Sequence, residues 1–206
     1  MPYLPLPPTI AAMNFSPPRT WTGLLATAAS ITLLASMAPA QELSDSTSAS
    51  KNLLVNGDFQ KGTDGWTLDA HDKKSTMTID ENEKHLNKPS LRVDNTEGND
   101  THIKQKVAVE PETRYRLEGY IKTKNAESVK RDGKGGASLD LEGTWQTSKM
   151  VNKTKSWTKV SVDIVTGAEK EVEVGGRLGF WSDPVIGTAW FADLSLVKIG
   201  KAPPRR

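Results

Sequence analysis

Asn52-Leu-Leu-Val-Asn-Gly-Asp-Phe59, then Gly65-Trp66, then much later Trp190-Phe-Ala-Asp-Leu-Ser-Leu196 form the frame that decides the fold. The first stretch reads as a short apolar strand running into an Asn-Gly-Asp turn, residues that favour turn conformations and local side-chain bonds. The last reads as a closing strand with one Asp among apolar neighbours.

Between these ends the chain alternates at period two. Tyr115, Leu117, Gly119 and Ile121 alternate with Arg116, Glu118, Tyr120 and Lys122. Ala137, Leu139 and Leu141 alternate with Ser138, Asp140 and Glu142, and Val160, Val162 and Ile164 with Lys159, Ser161 and Asp163. Val172 and Val174 lead through Gly175-Gly176 to Leu178 and Phe180, opposite Arg177, Gly179 and Trp181. One face of each strand is expected in the core and the other in water, as in antiparallel sheets. Turn clusters such as Glu110-Pro111-Glu112, Asp132 to Gly136 and Ser182-Asp-Pro184 separate the strands. About eight to ten short strands at this spacing predict an all-β antiparallel sandwich or jelly roll.

Working outward, residues 1–40 read as a secretory signal peptide. Arg19 is their only charge, an apolar run from Leu24 to Met37 follows, and Ala38-Pro-Ala40 is a small-x-small exit. The run is shorter than the roughly 20 residues a membrane span needs, so no membrane attachment is expected after cleavage. Residues 41–50 are a Ser/Thr-rich linker, 51–200 the sandwich and 201–206 a basic tail. These ends predict a secreted or periplasmic protein, of bacterial type.

Composition removes other classes. Cys is 0, so disulfides and thiolate metal sites are excluded. Lys and Arg number 27, one of them Arg19, against 25 Asp and Glu, so the domain is nearly neutral and shows no basic stripe for nucleic acid. His71, His85 and His102 form no HExxH spacing, and no G-x-S-x-G occurs. Asp140 and Glu142 share one strand face with Cβ atoms roughly 6.5–7 Å apart, within range of a glycosidase pair. A solvated sheet face explains them without chemistry, so no enzyme is expected.

The Asn52–Phe59 turn, Gly65-Trp66 and the Trp190–Leu196 strand together resemble carbohydrate-binding modules of the family four/nine, sixteen and twenty-two group. The resemblance covers nearly all of residues 52–198. It implies a galactose-binding-like jelly roll that holds a polysaccharide or glycan. It also implies that Trp66 and Trp157 are structural. A structural calcium between the N-terminal turn and the closing strand is a further implication, with Asp58, Gln60 and Asp193 at the matching positions. Two departures weaken that set: Gln60 replaces the usual Glu, and Ala192 replaces the first Asp of a pair.

Sugar binding needs an aromatic face against the C–H face of a pyranose, flanked by groups that bond its hydroxyls. Trp190 shares number parity with Leu194 and Leu196 and reads as core. Trp181, on the face opposite Leu178 and Phe180, and Trp145, in the polar loop Glu142-Gly-Thr-Trp-Gln-Thr147, are candidate platforms, or rings tucked into the sandwich edge. Arg177 shares the face of Trp181. Tyr120, with Glu118, can bond a hydroxyl or simply cover its sheet. A single groove joining Trp181, Arg177, Tyr120 and Glu118, with Trp145 on its rim, is the expected site. The first reading is non-catalytic glycan binding. The alternatives are an adhesive sandwich docking a protein at the cell surface, and an accessory subunit of a hydrolase or lyase.

Overall fold

A computed structural model describes residues 51–72 and 74–204. The segments read as signal peptide and linker, and the two final arginines, lie outside the described residues. The described residues form nine strands and no helix: β1 (Thr67–Ala70), β2 (Ser75–His85), β3 (Lys88–Asn99), β4 (Thr101–Ala108), β5 (Thr113–Ser128), β6 (Ala137–Leu141), β7 (Lys153–Val165), β8 (Glu171–Leu178) and β9 (Val185–Lys201). They build a four-stranded sheet of order β1-β4-β8-β6 and a five-stranded sheet of order β2-β3-β9-β5-β7. Every pairing is antiparallel. The fold is the jelly-roll sandwich the alternation predicts.

The core lies between the sheets. Ile103, Leu139, Val174 and Leu178 come from one, and Leu91, Leu117, Ile121, Ile164 and Phe191 from the other. Burying each such side chain contributes about 1.5–3 kcal/mol, against roughly 0–1 kcal/mol for an exposed ion pair. Apolar packing therefore dominates pairs such as Lys74–Glu97. Gly176 allows the sheets to close here, because a Cβ on it would sit 2.4 Å from Phe191 Cε1.

The N-terminal segment is not a ladder strand. Asn52 pins it instead: its Oδ1 accepts from the N–H groups of Leu54 (3.0 Å) and Leu196 (2.9 Å), and its Nδ2 donates to Leu194 O (3.2 Å). Leu53 N–H adds one backbone bond to Leu196 O. Asn56, at φ 52°, organises the turn by donating to Gly62 O and Asp64 O and accepting from Lys61 N–H. Trp66 packs on Phe59 and donates to Asn56 O at 3.1 Å, as a core residue should. Lys201, read as tail, is the last residue of β9, and Ala202 N–H bonds Glu112 O.

Three parity readings need correction. Trp190 is 5% exposed, yet it faces outward on the five-stranded sheet. A register shift between Glu118 and Tyr120 opposite β9, with Asp193 at φ 47°, puts Ala189 and Phe191 on the core side together with Leu194 and Leu196. Strand β8 ends at Leu178, so Phe180 and Trp181 belong to a turn and not to opposite strand faces. The outward face of β6 is dry, with Ser138 and Asp140 both buried.

Candidate functional site

The four-stranded sheet carries the site on its outward face. Cross-strand register lines up Asp69, His102, Arg177 and Ser138 in one row, from β1, β4, β8 and β6. Asp140 sits one row away, opposite Gly175. Two turns overhang this row. After β8, Gly179 adopts φ 108° and the Phe180 and Asp183 backbones bond each other reciprocally, which puts Trp181 at the tip. After β6, Thr144 bonds back to Leu141 O and Leu141 N–H to Gln146 O, which puts Trp145 at the tip of a second turn.

The three aromatic rings meet. Trp145 and Trp181 are 6.0 Å apart edge to face, and Phe180 lies 5.3 Å from Trp145 and 5.8 Å from Trp181. Arg177 stands beneath them, its guanidinium 4.6 Å from the Phe180 ring and 5.5 Å from Trp181. Trp145 remains 75% exposed and Trp181 57%. The two indoles are therefore open to solvent, with a cation against Trp181 and Phe180.

Arg177 is almost wholly enclosed. It is 2% exposed, pairs in fork fashion with Asp100 (Nε to Oδ1, 2.6 Å) and reaches Asp140 Oδ2 with Nη1 at 3.3 Å. Those bonds hold its guanidinium in place under the Phe180 and Trp181 rings. Beside it opens a small cavity of about 140 Å³, lined by Asp69, His71, Asp100, His102, Glu142, Arg177 and Trp181. Burial, helped by Arg177, keeps the His102 imidazole neutral down to about 4. Burial raises Asp140 to about 7 and also raises Glu142. Of this lining, the sequence reading singled out only Arg177 and Trp181 as binders. His102, Asp100, Asp140 and Glu142 come together only through sheet order; the one linear signal is Asp140 and Glu142 at i and i+2.

Tyr120 and Glu118 lie elsewhere. Both face outward from β5 in the five-stranded sheet, the other layer of the sandwich, so the single groove is not formed. Glu118 pairs with Lys159 at 3.3 Å. Tyr120 stacks on His85 at 3.9 Å, and His85 meets Trp157 at 5.4 Å. Trp157 is half-buried and donates to Lys84 O.

The N-terminal turn does meet the closing strand, as the calcium reading requires: Leu194 N–H bonds Gly57 O. The donors there do not fit the ion. Lys88 Nζ stands 3.0 Å from Asp193 Oδ1 and 3.9 Å from Asp58 Oδ2. His85 Nδ1 is 2.6 Å from Asp193 Oδ2, and Gln60 turns its NH₂ group toward Asp58. Burial pushes Asp193 up, but the bonds from His85 and Lys88 outweigh it and leave its carboxyl below the ordinary range. Calcium needs about six to eight oxygen ligands; here an ammonium already serves the two carboxylates.

Solved structures that share the fold include the following three. The module TmCBM61 in complex with β-1,4-galactotriose superposes with a TM-score of 0.54 at 14% identity, over 73% of this chain and 100% of that one. A putative sugar binding protein from Bacteroides thetaiotaomicron gives 0.52 at 15%, over 72% and 100%. The CBM22-1–GH10 modules of Clostridium thermocellum xylanase 10B, complexed with xylohexaose, give 0.50 at 12%, over 73% of this chain and 29% of that one. At such identities the likeness is one of fold. No curated protein matches the sequence. The sequence model of the family described as carbohydrate binding domain matches residues 51–178. With its jelly-roll sandwich and its exposed indole pair beside a polar cavity, this chain belongs to the carbohydrate binding domain family.

Proposed function

We propose that the protein binds an extracellular glycan without cleaving it, on the platform of Trp145 and Trp181. The observation that carries this reading is the exposure of both indoles above a cavity walled by Asp69, His71, Asp100 and Glu142. The C–H face of a pyranose stacks on an indole, while the carboxylates and imidazole at the rim bond its hydroxyls. The cavity is well below the roughly 300–1,000 Å³ of pockets that enclose a ligand. The sugar therefore lies across the rim, which suits one unit of a longer chain. Trp190 offers no such shelf. It is covered by Arg92 and Lys122, each 5.6 Å from its ring, and its Nε1 already donates to Asp80 at 2.9 Å.

Native gels cast with soluble polysaccharides test the reading. Neutral β-glucans, xylans and galactans form the panel. Retardation of the wild-type chain by at least one of them is expected. Unretarded migration in all of them would remove glycan binding as the function.

A further inference from the structure

We propose that His102, Asp140 and Glu142 form a binding site for one divalent transition metal ion of the zinc class. Their ligand atoms all lie within 4.8 Å of one another. His102 is 4% exposed and Asp140 3%. Among the described residues, His102 Nε2 and Glu142 Oε2 are buried polar atoms with no hydrogen-bond partner. A buried nitrogen left unbonded costs about 1–3 kcal/mol, so a structure that keeps Nε2 beside the Asp140 carboxylate points to a missing ligand.

The spacing suits a metal better than a hydrogen bond. His102 Nε2 and Asp140 Oδ2 are 3.6 Å apart. That is too long for a hydrogen bond, which spans about 2.7–3.2 Å. Two ligands about 2.0–2.2 Å from a tetrahedral zinc ion stand roughly 3.4 Å from each other. Glu142 abuts the same ring at Nδ1 without hydrogen-bond geometry. Its side chain is 30% exposed at the cavity mouth, and as third ligand it would have to swing from the Nδ1 edge of the ring to the Nε2 edge. One imidazole nitrogen with two carboxylates selects a borderline metal over calcium or magnesium.

The surrounding charges leave room for a cation. Arg177 is matched by the fork of Asp100. Lys104 is matched twice, by Asp69 at 2.8 Å and Glu173 at 2.9 Å. Asp140 Oδ2 meets only the outer Nη1 of Arg177, at 3.3 Å, and Glu142 pairs with no Lys or Arg among the described residues. The cavity beside Glu142 gives a hydrated ion its path in. It also leaves the remaining coordination positions facing Trp181.

Zinc chloride titrated into the metal-stripped full chain tests the proposal, with no sugar present, by calorimetry and by indole fluorescence. One ion per chain, quenching of the indole signal and a raised melting temperature are expected. His102→Gln and Asp140→Asn should each weaken binding roughly tenfold or more. Glu142→Gln should weaken it while leaving the metal-free melting curve unchanged, and this variant decides if the buried ones fail to fold. His71→Ala should bind as wild type. Absence of saturable zinc binding by the wild type, or wild-type affinity in Glu142→Gln, would overturn the site. Because no sugar enters the assay, its outcome is separate from that of glycan binding.

Discussion

Asn95 shows how one polar side chain can tie five elements. Its Nδ2 donates to Asn99 O, Leu178 O and Val185 O, at 3.3, 3.2 and 3.0 Å. Its Oδ1 accepts from Ser75 and Thr101 hydroxyls, each at 2.8 Å. The residue is buried, so truncation leaves several polar groups without partners or water. Asn95→Ala should therefore cost about 2–4 kcal/mol, read as a lower midpoint in urea unfolding. Asp80 works differently. Burial would raise its pKa, but the Trp190 indole N–H, the Glu83 and Asn82 backbone N–H groups and Arg92 together lower it below 3.8. A carboxyl lowered in the folded state adds stability that is complete above its unfolded pKa and is lost as pH falls through the folded value. Asp80→Asn should therefore destabilise at pH 7 but much less near pH 2, as measured by unfolding across that range. Equal loss at both pH values would show that charge at Asp80 contributes nothing.

At the scale of elements, the β2–β3 hairpin brings a cation to the carboxylates of the calcium reading. Leu86 and Asn87 both adopt positive φ, 47° and 64°, as a two-residue turn of the I′ kind requires. This aims His85 and Lys88 at Asp193. Lys88→Gln removes the ammonium and leaves Asp58 and Asp193 facing each other. The metal-stripped wild type should show no change of melting temperature with millimolar calcium, whereas Lys88→Gln should melt lower and be raised by the ion. A calcium-dependent wild type would mean that Lys88 yields its place. The alternation of β5, β6 and β7 was legible because apolar and polar residues strictly take turns there. The turn at Leu86-Asn87 was not, since neither residue is glycine and the run through it looks continuous. Parity failed at Trp190 and Trp181 for one reason. It assumes an unbroken strand, and a bulge at Asp193 and an early stop at Leu178 break it. Trp145 was still legible as a candidate, because a Trp in a polar loop has no apolar neighbours in its own segment; Trp181 was singled out for a strand face that the turn replaces. The cluster beneath them was not legible, because β4, β6 and β8 become neighbours only in the folded sheet.

For the whole molecule, the two outward faces differ in what they leave open. The five-stranded sheet covers Trp190 with two cations and Tyr120 with His85. The four-stranded sheet buries Arg177, His102 and Asp140, and the turns after β6 and β8 expose their indoles. The proposed glycan binding belongs to the second face, and substitution there is expected to separate binding from folding. Losing a stacking aromatic should cost about 1–3 kcal/mol, by analogy with the platforms that stack nucleic-acid bases. The direct measurement is polysaccharide retardation of Trp181→Ala and Trp145→Ala beside the wild type, with melting curves of all three. Retardation of the wild type, lost or reduced by roughly tenfold or more in affinity in both variants at unchanged melting temperature, is the expected result. Undiminished retardation of both variants would contradict binding at this face.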